Sequence, residues 1–180
     1  MALKKNALTI ALVLFSFGFA INLHAETFFF SAGIPVARSF SESDEKTDSI
    51  SGLLLHANIP LFPGVGYESY ESTFKGDALD SKLKTEMYDI FYLLPIPIVN
   101  ITIGAGIGTS KLECDTCSDL YKNEGMNTNQ LYAQFGFPIF PLFDLHLSYH
   151  SISGKVEGKN STSDVKIAGT MYAIGVAFVF

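Results

Sequence analysis

Four residues at alternate positions of one short segment carry the side-chain types of a hydrolytic triad. In the stretch DLHLSYH, Asp144, His146, Ser148 and His150 are separated from one another by single apolar or aromatic residues. A nucleophilic serine needs its base within about 3 Å. Residues two apart on one strand are spaced about 7 Å apart, so we expect hydrogen bonds between these side chains to be stretched. The segment therefore predicts an interior polar network and no catalytic site.

The segment before this one alternates in the same way and adds two amides to the predicted network. In QLYAQFGF, Gln130 and Gln134 occupy the polar side, while Leu131, Ala133 and Phe135 occupy the other. Successive side chains of a strand point to opposite faces, so each segment predicts a strand with one apolar face. We expect both amides to share one interior with the polar side chains of DLHLSYH.

A tight connection at 138–142 would join these two strands and would set how they pair. If Phe137 pairs with Phe143, the inward pairs are Gln134 with His146, Tyr132 with Ser148 and Gln130 with His150, and the outward pairs are Phe135 with Leu145, Ala133 with Leu147 and Leu131 with Tyr149. Each histidine then gains an amide partner, as a buried imidazole requires. A slip of one residue would turn both histidines to the opposite, apolar side.

Eight segments of the chain alternate in this manner. They lie at 27–38, 50–59, 65–74, 84–94, 99–111, 127–137, 143–153 and 166–180. The connections near 60–64, 95–98 and 138–142 are short, apolar and rich in proline, whereas those near 39–49, 75–83, 112–126 and 154–165 are longer and carry most of the charge. Short and long connections thus alternate along the whole chain.

This organisation favours a membrane-spanning barrel over a soluble β-sandwich. A sandwich would not place the apolar residues on the outer side of strands whose other face is polar. In lipid every backbone polar group must be paired, so a spanning sheet has to close on itself. The sequence predicts an all-β fold, a closed up-and-down antiparallel transmembrane β-barrel of eight strands. Its proline-bearing connections would be periplasmic turns, and both termini would be periplasmic.

The first 25 residues have the features of a secretory signal peptide. Lys4 and Lys5 precede an apolar stretch, and cleavage after Ala25 would leave 26–180 as the barrel domain; Ala20 is the alternative cleavage site. A retained helical anchor is the other interpretation. Removal of the signal leaves 10 Lys and Arg against 18 Asp and Glu, a net charge of −8. Such a charge argues against nucleic acid as a partner.

The last strand carries a resemblance to a known class. In MYAIGVAFVF, Tyr172, Phe178 and Phe180 lie on one face, with Ile174 and Val176 between them. This resembles the C-terminal strand of bacterial outer-membrane barrels, which ends in an aromatic residue. The chain is similar to small eight-stranded barrels of the OmpA, OmpX and OmpW type. The resemblance implies an outer-membrane location, recognition of the strand by the barrel-assembly machinery, contact with lipid and lipopolysaccharide, and a monomer.

Two cysteines and several glycines allow narrower predictions. Cys114 and Cys117 form a C-x-x-C in a long loop, and an exported chain passes an oxidising compartment, so we expect a small disulfide. No further Cys or His lies near them in the sequence, and no metal site or cofactor is predicted.

Inward glycines are expected to accommodate bulky neighbours such as Phe29, Phe91 and His56; these glycines are Gly104, Gly106, Gly108, Gly169 and Gly175.

Three functions follow from these patterns, and the first is preferred. The chain could be a non-enzymatic structural or surface-interaction barrel whose acidic loops contact partners. It could be a narrow channel for small or apolar solutes, as similarity to the W-type barrels implies. It could be a lipid-modifying enzyme such as a lipid A deacylase, but Ser148 and His150 stand in the reverse order of that family's pair, with no following Asn. A continuous lumen would favour the channel, and a tight Ser–His–acid cluster would favour the enzyme.

Overall fold

Strands occupy most of the chain that the computed structural model describes, which is residues 28–41, 47–59, 62–75, 80–94, 96, 99–114, 126–159 and 164–179. Nine strands follow one another: β1 Phe29–Phe40, β2 Thr47–Asn58, β3 Gly64–Lys75, β4 Asp80–Leu94, β5 Asn100–Glu113, β6 Met126–Phe140, β7 Phe143–Val156, β8 Val165–Lys166 and β9 Gly169–Val179. None of the described residues forms a helix long and apolar enough to cross a bilayer. The signal peptide 1–25 and both candidate cleavage sites lie outside the described residues, and the boundary of the barrel domain stays a prediction.

The eight long strands close into a ring. Each pairs in antiparallel fashion with its neighbours, and the ring is completed where β9 pairs with both β1 and β7. The two residues of β8 pair only with the end of β7. The predicted eighth strand, 166–180, is therefore divided by Ile167 and Ala168. Closure gives every long strand two partners, so the predicted closed eight-stranded barrel is confirmed.

The outer surface of the ring is a belt of exposed apolar side chains. It includes Ile34, Leu53, Val65, Ile90, Ile103, Ile107, Leu131, Phe135, Leu145, Leu147, Ile174 and Val176. A protein in water does not expose so large a continuous apolar surface. The side chains between them point inward and are buried, as in β7, where exposed and buried residues alternate from Phe143 to Ser153. The predicted apolar outer face is confirmed.

We call the two ends of the barrel the turn end and the loop end. The turn end holds the short connections β2–β3, β4–β5 and β6–β7, together with the beginning of β1 and the end of β9. Phe62, Phe140 and Phe143 are exposed there, at 65%, 66% and 42% of their surface. Their position at one edge of the apolar belt is that of an interfacial aromatic girdle.

At the loop end several strands run beyond the predicted boundaries. β4 begins at Asp80 rather than 84, and β7 continues to Val156 rather than 153. Outward-facing charges form ion pairs across neighbouring strands here, with Lys82 Nζ 2.9 Å from Glu71 Oε1 and Lys84 Nζ 2.8 Å from Glu113 Oε2. Cross-strand pairs of opposite charge support a ladder even where the outer face is no longer apolar. The loops predicted from charge density were therefore too long at both of these places.

The predicted pairing of β6 with β7 is wrong by two residues. Phe137 pairs with Leu145, Gly136 with His146, Gln134 with Ser148 and Tyr132 with His150. The strand β6 continues through Pro138 to Phe140, with an irregularity between them, and Phe140 pairs with Phe143. Only Pro141 and Leu142 remain as the turn. Because side chains alternate with period two, a shift of two leaves every inward residue inward, so His146 and His150 are buried as predicted.

A bulge in β1 turns an arginine into the barrel. Pairing with β9 shifts register between Pro35 and Ala37, and Pro35 has no N–H to place in the ladder. The bulge changes which alternate residues face inward, so Arg38 is buried instead of facing outward. Its Nη1 donates to Ser72 Oγ at 3.3 Å, and its guanidinium lies over the Phe40 ring at 4.6 Å.

Three apolar layers cross the interior. The turn-end layer contains Phe29, Phe91, Tyr132 and Ala177; the middle layer contains Leu54, Tyr70, Met87, Ile152, Met171 and Ala173; the loop-end layer contains Leu83, Val156 and Ile167. Hydroxyl pairs lie between the last two layers, since Ser110 Oγ is 3.0 Å from Thr85 Oγ1 and 2.8 Å from Thr128 Oγ1. An eight-stranded barrel has an interior only wide enough for side chains, and these layers fill it.

The membrane-facing belt makes a substitution at Ile103 informative. Ile103 is 52% exposed and lies in the middle of the belt. We expect Ile103→Arg to lower the free energy of unfolding in lipid vesicles by about 2–4 kcal/mol, because a cation at the bilayer centre is poorly solvated. The measurement is denaturant unfolding followed by heat-modifiable gel mobility.

Lys111→Arg, on the same face of β5 but near the loop end, is the matched control and should change stability little. Equal stability of Ile103→Arg and wild type in vesicles would show that Ile103 does not face lipid.

Candidate functional site

A cluster of buried polar side chains lies between the turn-end and middle layers. Five strands each supply one or two members, and we call the set the polar cluster: His56 of β2, Glu68 of β3, Asp89 of β4, Gln130 of β6, and Ser148 and His150 of β7. Every member is at most 5% exposed. The alternation of each strand turns these residues inward, and closure of the ring brings the five strands around one space.

Aromatic rings separate the polar cluster from the turn end. Tyr132 stacks on the His150 ring with centroids 5.0 Å apart and planes 13° apart, and it lies 5.4 Å from the His56 ring. Phe91 meets the other side of His56 edge-on at 5.6 Å. Both imidazoles are therefore covered on the turn-end side by rings of the turn-end layer.

The middle layer covers the polar cluster from the loop end. On four strands the next inward residue in that direction is large and apolar or aromatic, and all four are at most 3% exposed: Leu54 before His56, Tyr70 after Glu68, Met87 before Asp89 and Ile152 after His150. The polar cluster is thus enclosed on both sides. The hydrogen bonds of its members are therefore made mostly within the cluster.

A chain of hydrogen bonds with consistent donors runs through the cluster. Gln130 Nε2 donates to Asp89 Oδ1 at 2.7 Å, which leaves Gln130 Oε1 as an acceptor for His150 Nδ1 at 3.3 Å. With its proton on Nδ1, His150 accepts at Nε2 from the Ser148 hydroxyl, 2.9 Å away. Gln130 therefore sets the tautomer of His150.

The short distance between Ser148 and His150 corrects our expectation of a stretched contact. The side chains lean toward each other along the strand, so their reactive atoms approach much more closely than the backbone spacing. His150 Nδ1 also lies 3.5 Å from Glu68 Oε1, which completes a serine, histidine and carboxylate series. However, Ser148 is 2% exposed and is enclosed with the rest of the cluster. Among the described residues, those of the turn-end and middle layers separate the Ser148 hydroxyl from the two ends of the barrel.

Three members of the cluster converge on one point. His56 Nε2 lies 3.4 Å from Glu68 Oε1 and 3.9 Å from Asp89 Oδ2. One ligand atom from each of these residues lies within 4.8 Å of the other two. An imidazole with two carboxylates is a set that can hold a divalent cation.

The remaining predicted network residues lie elsewhere in the interior. Asp144 is at the turn end, where Asn100 Nδ2 donates to its carboxylate. His146 packs against Gly33 and Gly175 and faces Gly136 across the strand pair, so the predicted Gln134 partner is wrong. Gln134 is buried opposite Ser148. The predicted single network is thus divided, and only Gln130, Ser148 and His150 belong to the polar cluster.

Inward glycines make room for the large side chains of the interior. A Cβ at Gly104 would overlap the Tyr132 ring, and one at Gly106 would overlap the Asp89 carboxylate. A Cβ at Gly66 would overlap the His56 ring. The packing role predicted for Gly104 and Gly106 is confirmed, although their neighbours differ from those we named. A Cβ at Gly169 would meet only the backbone of β1, so the prediction is wrong there.

The other predicted sites lie at the ends of the strands. Cys114 follows β5 and is disulfide-bonded; Cys117 lies outside the described residues, so its pairing with Cys114 stays a prediction. Tyr172 faces outward against Tyr149 with ring centroids 5.3 Å apart, and Phe178 lies 4.7 Å from Phe143. Phe180 lies outside the described residues, and its role in assembly stays a prediction.

Glu68 and Asp89 were not among the site residues predicted from the sequence. A usable signal existed, because both alternate with outward residues: Tyr67 and Ser69 flank Glu68, and Tyr88 and Ile90 flank Asp89. Their convergence with His56 depends on the stagger of β2, β3 and β4, which local alternation does not give.

Gln130 connects Asp89 to His150 within the polar cluster, so its replacement should destabilise the folded barrel. We expect Gln130→Leu to lower the free energy of unfolding by about 2–4 kcal/mol, since it leaves both Asp89 and His150 buried without their partner. Ser148→Ala removes one hydrogen bond and should cost about 1 kcal/mol. Denaturant unfolding in vesicles measures both. A smaller loss for Gln130→Leu than for Ser148→Ala would contradict this network.

No protein-family model and no curated protein sequence matches this chain. Solved structures do match its fold. The crystal structure of Neisserial surface protein A, NspA, superposes with a TM-score of 0.62 at 17% identity, covering 86% of this chain and 97% of that one. Ail, the attachment invasion locus protein of Yersinia pestis, superposes with a TM-score of 0.53 at 18% identity, covering 85% and 97%.

These likenesses extend over nearly the whole of both neighbours, and they concern the fold rather than a shared activity. They agree with the ring closure, the strand number and the apolar belt described above. The chain is therefore a small eight-stranded β-barrel with the fold of bacterial outer-membrane proteins such as NspA and Ail.

Proposed function

We propose that this chain is an integral outer-membrane barrel that neither conducts solutes nor catalyses a reaction, and that acts through its outer surface at the loop end. The observation that carries the proposal is the filled interior, where apolar layers enclose the polar cluster on both sides. A barrel without a lumen or an open cleft has only its surface to offer partners. The neighbours named a surface protein and an attachment protein agree with such a role.

The proposed orientation places the turn end in the periplasm. Short turns in bacterial barrels face the periplasm, and long loops face outward. The short connections and the ends of β1 and β9 share one end of this barrel. Both termini of the mature chain would then be periplasmic, and the charged connections would face the cell exterior.

Conductance distinguishes the proposed filled barrel from a channel. For the filled barrel, we expect purified protein in planar bilayers to give no stepwise conductance above that of the bare membrane, because buried side chains occupy the interior from Phe29 to Val156. A general porin reconstituted in the same way is the positive control. Reproducible conductance steps that require the folded, heat-modifiable form would overturn the proposal in favour of a channel.

The enzyme alternative is favoured by one observation, the 2.9 Å contact between Ser148 and His150. Enclosure of both residues argues against it. Covalent labelling of Ser148 by a fluorophosphonate in the folded barrel, or release of acyl chains from lipopolysaccharide that Ser148→Ala abolishes, would favour the enzyme.

A patch of lysines at the loop end suggests a lipid partner. Lys82, Lys84 and Lys111 face outward on β4 and β5, beyond the apolar belt that includes Ile107. Lys84 and Lys111 are directly opposite each other in the ladder, and like charges so placed repel. Glu71 and Glu113 pair with Lys82 and Lys84, and no described carboxylate lies within ion-pair distance of Lys111. An anionic group outside the barrel would relieve this repulsion.

The phosphates of lipopolysaccharide are anions at the depth where this patch would lie, and we propose that they bind it. Purified lipopolysaccharide should raise the thermal unfolding midpoint of the wild-type barrel in neutral detergent. The triple variant Lys82→Gln, Lys84→Gln, Lys111→Gln should lose most of that increase, because it loses the phosphate ligands.

A matched triple variant at Lys155, Lys159 and Lys166 removes the same charge elsewhere on the loop end and should retain the increase. An equal response from both triple variants would mean that the patch is not the binding site.

A further inference from the structure

The polar cluster contains atoms that no hydrogen bond satisfies. Among the described residues, no hydrogen bond of ordinary length and angle reaches either carboxylate oxygen of Glu68, Asp89 Oδ2 or His56 Nε2. Glu68 is completely buried, and His56 and Asp89 are 4% and 5% exposed. Buried carboxylate oxygens are normally paired. These atoms are also the ones that converge, with His56 Nε2 3.4 Å from Glu68 Oε1 and 3.9 Å from Asp89 Oδ2.

The other polar atoms of His56 and Asp89 are held by neighbours outside the convergence point. His56 Nδ1 lies 3.4 Å from Ser31 Oγ, and Asp89 Oδ1 accepts from Gln130 Nε2 at 2.7 Å. Each side chain is thus fixed by one atom and presents the other to the common centre. Metal ligands have this arrangement, in which a histidine uses its second nitrogen, and a carboxylate its second oxygen, for an orienting hydrogen bond.

The charge of the cluster is also unbalanced. Within the described part of the chain, no Lys or Arg lies within ion-pair distance of Glu68 or Asp89. The apolar layers exclude the solvent that would otherwise stabilise two carboxylates. His150 donates a hydrogen bond from Nδ1–H to Gln130 Oε1 and accepts one at Nε2 from Ser148, which is the arrangement of a neutral ring. Two uncompensated negative charges in an apolar surrounding are unfavourable, and one divalent cation cancels both.

We propose that His56, Glu68 and Asp89 bind one divalent transition-metal ion inside the barrel. With metal–ligand bonds of about 2.0–2.2 Å, neighbouring ligands of a tetrahedral ion lie roughly 3.4 Å apart. The separation of His56 Nε2 from Glu68 Oε1 has this value, the separation of His56 Nε2 from Asp89 Oδ2 is 3.9 Å, and all three ligand atoms lie within 4.8 Å of one another. The imidazole ligand favours zinc over magnesium, which demands octahedral geometry and retains water, while the two carboxylates also suit manganese. Both oxygens of Glu68 lack a hydrogen bond of ordinary geometry, so this carboxylate can supply two coordination positions.

The ion would join three neighbouring strands at the centre of the barrel. His56, Glu68 and Asp89 come from β2, β3 and β4, so its role would be structural. This revises our prediction from the sequence, which included no metal site, and it does not depend on the proposed function. Because the apolar layers enclose the site, the ion would enter while the barrel folds and would exchange slowly afterwards.

The first experiment measures metal content after folding. Protein unfolded in denaturant with chelator is refolded into detergent with zinc, with manganese, or with chelator, and unbound metal is removed by gel filtration. Elemental analysis should find about one ion per folded barrel for zinc or manganese, retained in a subsequent chelator wash. Glu86→Gln, an outward-facing glutamate on β4, should also retain one ion. Glu68→Gln and Asp89→Asn should retain less than a tenth of that amount.

Thermal unfolding separates metal binding from a general effect on folding. Glu68→Gln removes a buried charge, so it should unfold at a higher temperature than wild type when both are refolded with chelator. When both are refolded with the metal, the order should reverse. If Glu68→Gln fails to give the heat-modifiable folded band, Ser31→Ala replaces it and should reduce metal affinity about tenfold through loss of the His56 contact.

Two results would overturn the proposal. One is the absence of bound metal in wild-type barrels refolded with either ion and in barrels purified directly from membranes without chelator. The other is equal metal content in wild type and both carboxylate variants. Either would mean that Glu68 and Asp89 are neutralised by a shared proton or solvated by enclosed water instead.

Discussion

The width of an eight-stranded ring is the constraint on which the rest of this structure depends. In a bilayer, every backbone N–H and C=O must be paired within the protein, and closure of the ring meets that requirement. Eight strands enclose a space only just wide enough for side chains. Consequently every inward residue must pack against residues from strands on the other side. The three apolar layers, the glycines beneath Tyr132 and His56, and the enclosed polar cluster are the ways in which this sequence meets the constraint.

The inside and outside of the barrel could be predicted because they depend only on alternation. The expected pairing of β6 with β7 was wrong by two residues, yet His146 and His150 remained inside, since a shift of two preserves the face. The error came from Pro138, which we took for a turn residue. Pro138 lies at a bulge within β6, where its missing N–H does not interrupt the ladder, and the turn is two residues further on.

Contacts across the barrel could not be predicted, because they depend on the stagger of several strands at once. Glu68 and Asp89 were each recognisable as inward residues from their exposed neighbours, but their approach to His56 was not. The direction of the side chains along a strand could not be predicted either. Ser148 and His150 are two residues apart on one strand and still form a hydrogen bond, since their side chains lean toward each other. The burial of Arg38 could not be predicted from alternation, because the bulge between Pro35 and Ala37 turns its side chain from the outer face to the interior.

The interior also shows why residue types alone do not establish a function. Serine, histidine and glutamate stand in the order of a hydrolytic triad, but Tyr132 and Phe91 cover them on one side and Leu54, Tyr70, Met87 and Ile152 on the other. In the same enclosure, a histidine and two carboxylates are the ligands of the proposed structural ion. What distinguishes a catalytic from a structural role is whether a substrate can reach the polar residues. The turn-end and middle apolar layers determine that access, and the polar residues themselves do not.

Water contact along the barrel axis is therefore the most direct test of the account. Water-edited solid-state NMR of the barrel in lipid bilayers measures how quickly magnetisation passes from water to each residue. A filled interior predicts slow transfer at Gly66, Gly106 and His150 and fast transfer at the loop end, for example at Lys155 and Lys166. Fast transfer at all three interior residues would show a water-filled passage and would contradict the filled interior.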